Sequence, residues 1–289
     1  MNSFVGQVAP FTLLKPLSKK RIPLVFDSPH SGNYFPSSFI SRVDKIQLQT
    51  GWDAFIDDLW IDAVSVGAHL LHANFSRMYI DPNRAPDDID PSVIGTHWAQ
   101  CNPSKYSERG MGLIRQFALP GMEMYCVPLK ISEVQSRLDN WYFPYHNQLQ
   151  TTLDTLHDSF GGVWHVDCHS MKSVGNEMNI DAGKPRPDII LGDMDGTTAS
   201  DEFVSLIENT FLSLGYSVVR NKPYKGGYVV NHYSDVKSNR HSMQIEINRR
   251  LYMNEEKFVT NDNYNHFKQD LAKVSSRIAQ YVSNQVAVD

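Results

Sequence analysis

Ten consecutive residues, Phe75-Ser76-Arg77-Met78-Tyr79-Ile80-Asp81-Pro82-Asn83-Arg84, hold two arginines, an aspartate and an asparagine. Met78 and Ile80 suit a core. The polar residues need partners, because an unpaired buried charge costs several kcal/mol. A guanidinium takes a carboxylate through two parallel hydrogen bonds. Asn83 and Arg84 therefore read as a clamp for a small acid, with Arg77 a second cation near a reacting group. The competing account is a structural ion pair with Asp87 or Asp88.

Two histidines and two acids add metal chemistry. His30 follows the apolar run Ile22 to Phe26, in a turn built by Ser28-Pro29-His30-Ser31-Gly32. A lone histidine there is more often a turn hydrogen-bonder than a ligand. Asp167 and His169 alternate onto one face of the strand expected from Gly162 to Cys168. A histidine beside a carboxylate suits a zinc ligand with its outer acceptor, and equally a simple His–Asp pair. His165, one pleat deeper, reads as a hydrogen-bonded core residue. Asp53 opens a segment of helical spacing, where a carboxylate favours the helix dipole. As a third ligand it would complete two histidines and one carboxylate with a position left for water, a catalytic zinc set.

The stretch Met243-Gln244-Ile245-Glu246-Ile247-Asn248 alternates with period two. It reads either as an edge strand with a wet face or as a strand presenting Glu246 as a general base. Lys225-Gly226-Gly227-Tyr228 lacks the spacing of a phosphate loop. It is a flap that brings Tyr228 or Lys225 over a substrate, or a plain hairpin turn. Asp193-Met194-Asp195-Gly196-Thr197 matches the DxDGT pattern of haloacid-dehalogenase-like phosphatases, which use magnesium. Gly192 interrupts the strand before it, and no later acidic pair completes a magnesium site.

The elements that must position these residues alternate between strand and helix. Strands are expected at Leu70 to Phe75, Met78 to Asp81, Ile189 to Leu191, Tyr216 to Arg220 and Ser242 to Asn248. Helices are expected at Trp52 to Val66, Ser132 to Leu156 (kinked or restarted at Pro144), Asp201 to Leu214 and Asn263 to Val282. That order implies an α/β protein with helices on both faces of a sheet and a site at the strand ends. The chain has 289 residues, 41% of them hydrophobic, enough for a large core, and a formal net charge of -5. No basic run favours nucleic acid or an anionic membrane, and no apolar stretch is long enough to span a bilayer. Met1 to Lys20 lacks the pattern of a secretory signal. Cys101, Cys126 and Cys168 form no close pair, which suits a reducing cytoplasm, and Cys168 reads as a small buried apolar residue.

Taken in order, Pro-His-Ser-Gly at 29–32, Trp-Asp at 52–53, Asp-Pro-Asn-Arg at 81–84, Asp-Cys-His-Ser at 167–170, Lys-Gly-Gly-Tyr at 225–228 and Gln-Ile-Glu-Ile-Asn-Arg at 244–249 resemble the N-formylglutamate amidohydrolase (deformylase) family. The resemblance covers about residues 20–280 of an expected single domain, 1–289. The family is similar to zinc carboxypeptidases and aspartoacylase. It implies a three-layer α/β/α domain with a central mixed sheet, phosphorylase/hydrolase-like, and one zinc per chain. It implies hydrolysis of a small acidic N-acyl amino acid, most simply N-formyl-L-glutamate, within histidine degradation. Carried over, His30, Asp53 and His169 hold the metal, with Asp167 behind. Arg77 polarises the carbonyl, Asn83 and Arg84 bind the α-carboxylate, and Glu246 is the base. Arg115, Lys172 and Lys225 are candidates for a side-chain carboxylate. One position departs from the carboxypeptidase pattern: Asn33 stands where the acidic ligand would fall, three residues after the first histidine. A metallopeptidase and a catalytically silent acid-binding protein are the other readings.

Overall fold

Apolar runs bounded by turn formers become the seven strands of one sheet: β1 (Phe11–Leu14), β2 (Leu24–Ser28), β3 (His69–Ala73), β4 (Val163–Met171), β5 (Ile189–Gly192), β6 (Val218–Arg220) and β7 (Arg240–Asn248). The spatial order is β1-β3-β2-β4-β7-β5-β6. Strands β3, β2, β4 and β7 run parallel, whereas β1 and β5 join antiparallel to β3 and β7. The structure, a computed structural model, describes residues 8–16 and 21–286. The expected domain limits at 1 and 289, and much of Met1 to Lys20, lie outside the described residues.

Helices α1 (Ile131–Arg137), α2 (Phe143–Phe160), α3 (Asp201–Ser213), α4 (Tyr228–Tyr233) and α5 (Tyr264–Gln285) cover the sheet. On one face Phe203, Phe211, Phe267 and Leu271 of α3 and α5 pack with Trp60 and with Met243, Ile245 and Ile247 of β7. On the other, Tyr145, Leu149 and Leu153 of α2 pack with Val25, Leu71 and Phe75. Full burial of such a side chain contributes roughly 1.5–3 kcal/mol, so the two cores fix the central strands firmly. This is the expected three-layer α/β/α arrangement on a mixed sheet. Covered on both faces, β2 and β4 are buried along their whole length. Among the described residues no helix is long and apolar enough to cross a membrane.

Several local expectations change. Trp52 to Val66 is not one helix. The amide of Asp53 donates to His30 O at 3.0 Å, and Phe55 adopts a left-handed φ of 66°. Only the single turn Ile56–Leu59 and a 3₁₀ turn Ile61–Val64 follow. Met78 to Asp81 forms turns instead of a strand, because Ser76 accepts from the amides of Met78 and Tyr79. The break in the long helix falls at a π turn, Leu138–Tyr142, and Pro144 sits in the first turn of α2, where its missing N–H costs nothing. Strand β7 is central, not an edge, and β1 was not anticipated.

Candidate active site

Three neighbouring parallel strands, β2, β4 and β7, present their carboxyl ends at one edge. His30 follows β2, His169 lies near the end of β4, and Glu246 stands opposite His169 in the β4–β7 register. The period-two pattern of β7 sends Met243, Ile245 and Ile247 into the α3/α5 core, which leaves Gln244 and Glu246 for the other face. Asp53 comes from the loop pinned to His30 O, and Trp52 Nε1 reinforces that loop by donating to Ser31 O at 2.6 Å.

His30, Asp53 and His169 are buried, with ligand atoms within 4.8 Å of one another. Nδ1 of His30 and of His169 lie 3.5 and 3.2 Å from Asp53 Oδ2. The opposite nitrogens face carboxylates. His30 Nε2 is 2.7 Å from Asp81 Oδ1, and His169 Nε2 is 2.7 Å from Asp167 Oδ1. The carboxylate behind His30 holds the proton on Nε2 and frees Nδ1 to bind a cation, the usual outer arrangement of metal-bound histidine. A donor of Arg77, 2.8 Å from His30 Nδ1, marks that atom as an acceptor. The donor set therefore fits a divalent metal such as zinc.

Burial would raise the Asp53 carboxyl, but the Arg77 guanidinium and contacts from His169 and His30 outweigh it and hold it well below the usual range. Burial, with Arg77 alongside, lowers His30. Glu246 is pushed up to about 7 by burial, against the opposing pull of His169. Such a value suits a general base operating near neutrality. Gln244 Nε2 donates to Glu246 Oε1 at 2.8 Å and orients it.

A cleft of about 130 Å³ opens beside these groups, lined by Arg77, Arg84, Arg115, Lys172 and Glu246 among others. That is the scale of one small metabolite, below the roughly 300–1,000 Å³ of drug-sized sites. Arg77 is held by Gly51 O at 2.5 Å and by Asp53 Oδ1 at 3.1 Å. Arg84 donates to Met111 O and Asn83 O and lies 4.4 Å from the Tyr106 ring centre. The structural ion pair with Asp87 or Asp88 does not form. Asp88 instead accepts from Ser104 and Ser107, and Asp87 from Asn102.

Not every expected residue reaches the cleft. Asn83 sits behind His169, its Nδ2 3.0 Å from His169 Nε2 and its Oδ1 accepting from Val229 N. Gly227 allows this approach, since a Cβ there would fall 2.3 Å from Asn83 Oδ1. Tyr228 begins α4 and packs on His232 and His146. Lys225 is exposed and pairs with Asp195. His165 bonds Asp27 and Ser242 inside the fold, as expected of a core histidine. Asp193 builds a turn, accepting from Gly196 N and Asn221 Nδ2, and lies outside the cleft lining. Arg186, Tyr224 and Arg249 line the cleft without having been anticipated. Arg249 carried a signal, being the last residue of the 244–249 motif, and it donates to Asp53 Oδ1 at 2.9 Å. Arg186 pairs with Asp181 and stacks near Tyr224, a contact no local pattern announces.

Comparison with known proteins identifies the family. The family described as N-formylglutamate amidohydrolase matches residues 22–253. N-formylglutamate deformylase of Pseudomonas putida is 29% identical over 255 residues, 88% of each chain. N-formylglutamate deformylase of Pseudomonas aeruginosa is 28% identical over 238 residues, 82% of this chain and 84% of that one. The crystal structure of N-formylglutamate amidohydrolase from Ralstonia eutropha JMP134 superposes with a TM-score of 0.93 at 39% identity, covering 96% of this chain and all of that one. With most of its length matched, the chain belongs to the N-formylglutamate amidohydrolase family.

Proposed function

We propose that the protein is a zinc-dependent deformylase that hydrolyses N-formyl-L-glutamate to formate and L-glutamate. The observation that carries this reading is the buried His30, Asp53 and His169 cluster with Glu246 paired opposite His169 at the wall of a cationic cleft. His30, Asp53 and His169 would hold a zinc ion, which would supply Lewis-acid activation of water and carbonyl. Glu246 takes the proton of the attacking water as the new C–O bond forms. It then returns that proton to the amine nitrogen as the C–N bond breaks. Arg77 donates to the carbonyl oxygen as charge develops there, a contribution typically worth about 2.7–4 kcal/mol per donor. Arg84, held over the Tyr106 ring, receives the α-carboxylate and fixes the amide against the base. Asn83 acts one step back, positioning His169.

A carboxypeptidase acting on peptide tails would use the same residue types, and the small volume of the cleft favours the smaller substrate. The test is metal content of the purified protein beside His169→Ala, with formate release from N-formyl-L-glutamate. About one zinc per wild-type chain, lost in the variant together with formate release, supports the reading. Formate release that survives in metal-free protein overturns it.

A further inference from the structure

We propose that Arg115 is the receptor for the substrate's side-chain carboxylate and sets the preference for an acidic amino acid. This rests on the deformylase reading above. Arg115 is 9% exposed, and its buried Nε has no partner among the described residues. The charges it feels include two repelling cations, Arg77 and Arg84. The acids near it, Asp81 and Asp53, are already held by His30 and by Arg77 and Arg249. Burial and those cations push Arg115 down to about 9. A buried guanidinium in this setting is stabilised by an arriving anion, and a carboxylate matches its fork.

The other cations of the cleft are occupied. Arg186 is bound in two places by Asp181 and donates to Lys172 O. Arg249 is bound by Asp53 and Ser170. Lys225 is outside. Lys172 remains, desolvated to about 8, but the charges it feels are Arg249, Glu255, Arg77 and Arg186. Lys172 follows β4 and its carbonyl accepts from Arg186, whereas Arg84 Nε donates to Met111 O, on the segment that carries Arg115. Chemistry decides between the two. A formyl group carries only hydrogen beyond its carbonyl, so both carboxylates belong to the leaving amino acid and lie on one side of the scissile bond. The second receptor must accompany Arg84, and Arg115 does.

The backbone supports the role. Gly112 passes so close to Asp88 that a Cβ would fall 2.6 Å from its carbonyl oxygen. Leu113 N donates to Asp88 O, Leu113 O accepts from Asp81 N, and Leu113 and Ile114 are buried. Arg115 thus rises from a packed base tied to the turn that supplies Asp81, Asn83 and Arg84.

The experiment compares kcat/KM for N-formyl-L-glutamate and its neutral isostere N-formyl-L-glutamine in wild type, Arg115→Met, Arg115→Lys and Lys172→Met. The expected result is a loss of about 100-fold on the acidic substrate in Arg115→Met, carried by KM, with less than threefold change on the amide. Arg115→Lys restores part of the preference, and Lys172→Met leaves the ratio unchanged. Equal losses on both substrates in Arg115→Met, or a selective loss in Lys172→Met, overturn the proposal. Titration with L-glutamate and L-glutamine separates the two readings. If wild type releases no formate from either substrate, the deformylase reading fails. Selective weakening of L-glutamate in Arg115→Met then still supports the receptor, and its absence overturns it.

Discussion

The two ends of the cleft are finished to different degrees. At the His30 and His169 end each imidazole is contacted at both nitrogens by side chains of the fold, and Asp53 accepts from two arginines, Arg77 and Arg249. At the other end Arg84 spends two of its nitrogens on backbone carbonyls, and Arg115 has a buried nitrogen with no partner. The first end is organised before anything binds, so it costs little reorganisation when charge develops. The second is incomplete until an anion arrives, so its energy enters as substrate affinity. Variants at the two ends should therefore fail differently, in turnover or metal retention at one and in KM at the other.

The largest effect is expected at Glu246. Glu246→Gln should lower kcat by about 10²- to 10⁴-fold while metal content stays at the wild-type level. An unchanged kcat would remove Glu246 as the base. Its pH behaviour sharpens the same point. The base works deprotonated and its carboxyl is raised to about 7 by burial, opposed by His169. A cation on the neighbouring ligands lowers that value, so kcat/KM should rise with pH along an acidic limb centred at or below about 7. The limb should vanish from the residual activity of Glu246→Gln.

At the opposite end, Arg84→Ala removes a charge-assisted contact worth about 1.5–3 kcal/mol, or roughly 10- to 150-fold in KM, with kcat nearly unchanged. A matching drop in kcat with KM fixed would place Arg84 among the groups that act in the transition state. Returning to the first end, Asp81→Asn keeps the shape behind His30 but not the charge. Metal affinity, measured by competition with a chelator, should weaken about 10- to 100-fold. Unchanged affinity would mean the carboxylate behind His30 does not tune that ligand.

The same contrast explains what was readable in the sequence. His169 and Glu246 were visible because strand alternation reports which residues share a face, and two buried strands kept that rule. The helical spacing of Trp52, Phe55, Ile56, Leu59, Trp60 and Ala63 did report burial, since most of them pack in one core. It misreported the backbone, because the tertiary bond from Asp53 N to His30 O overrides helix propensity. Asn83 looked like a substrate clamp because its role behind His169 depends on a glycine 144 positions later. Arg186 was hidden because its partner, Asp181, lies in an irregular loop with no period to read.

The smallest catalytic effect is expected at Asp193, and it tests whether the DxDGT segment has any part in the chemistry. Asp193 Oδ1 accepts from Gly196 N at 3.0 Å and Asn221 Nδ2 at 2.6 Å, and its carbonyl accepts from the amides of Thr197 and Thr198. Met194 and Asp195 take the left-handed conformation that this tight turn requires. One carboxylate oxygen of the acid is thus engaged by a backbone amide and the Asn221 side chain at the end of β5, as a turn-building residue. Asp193→Ala removes hydrogen bonds from the exposed Gly196 amide and the half-buried Asn221 side chain, which costs about 0.5–1.5 kcal/mol per bond and lowers the melting temperature by a few degrees. Deformylase kcat/KM at 25 °C should stay within twofold of wild type. A loss of activity without a loss of stability would assign the segment a role in the reaction, and magnesium-dependent phosphate release abolished by Asp193→Asn would establish a second chemistry at the far edge of the sheet.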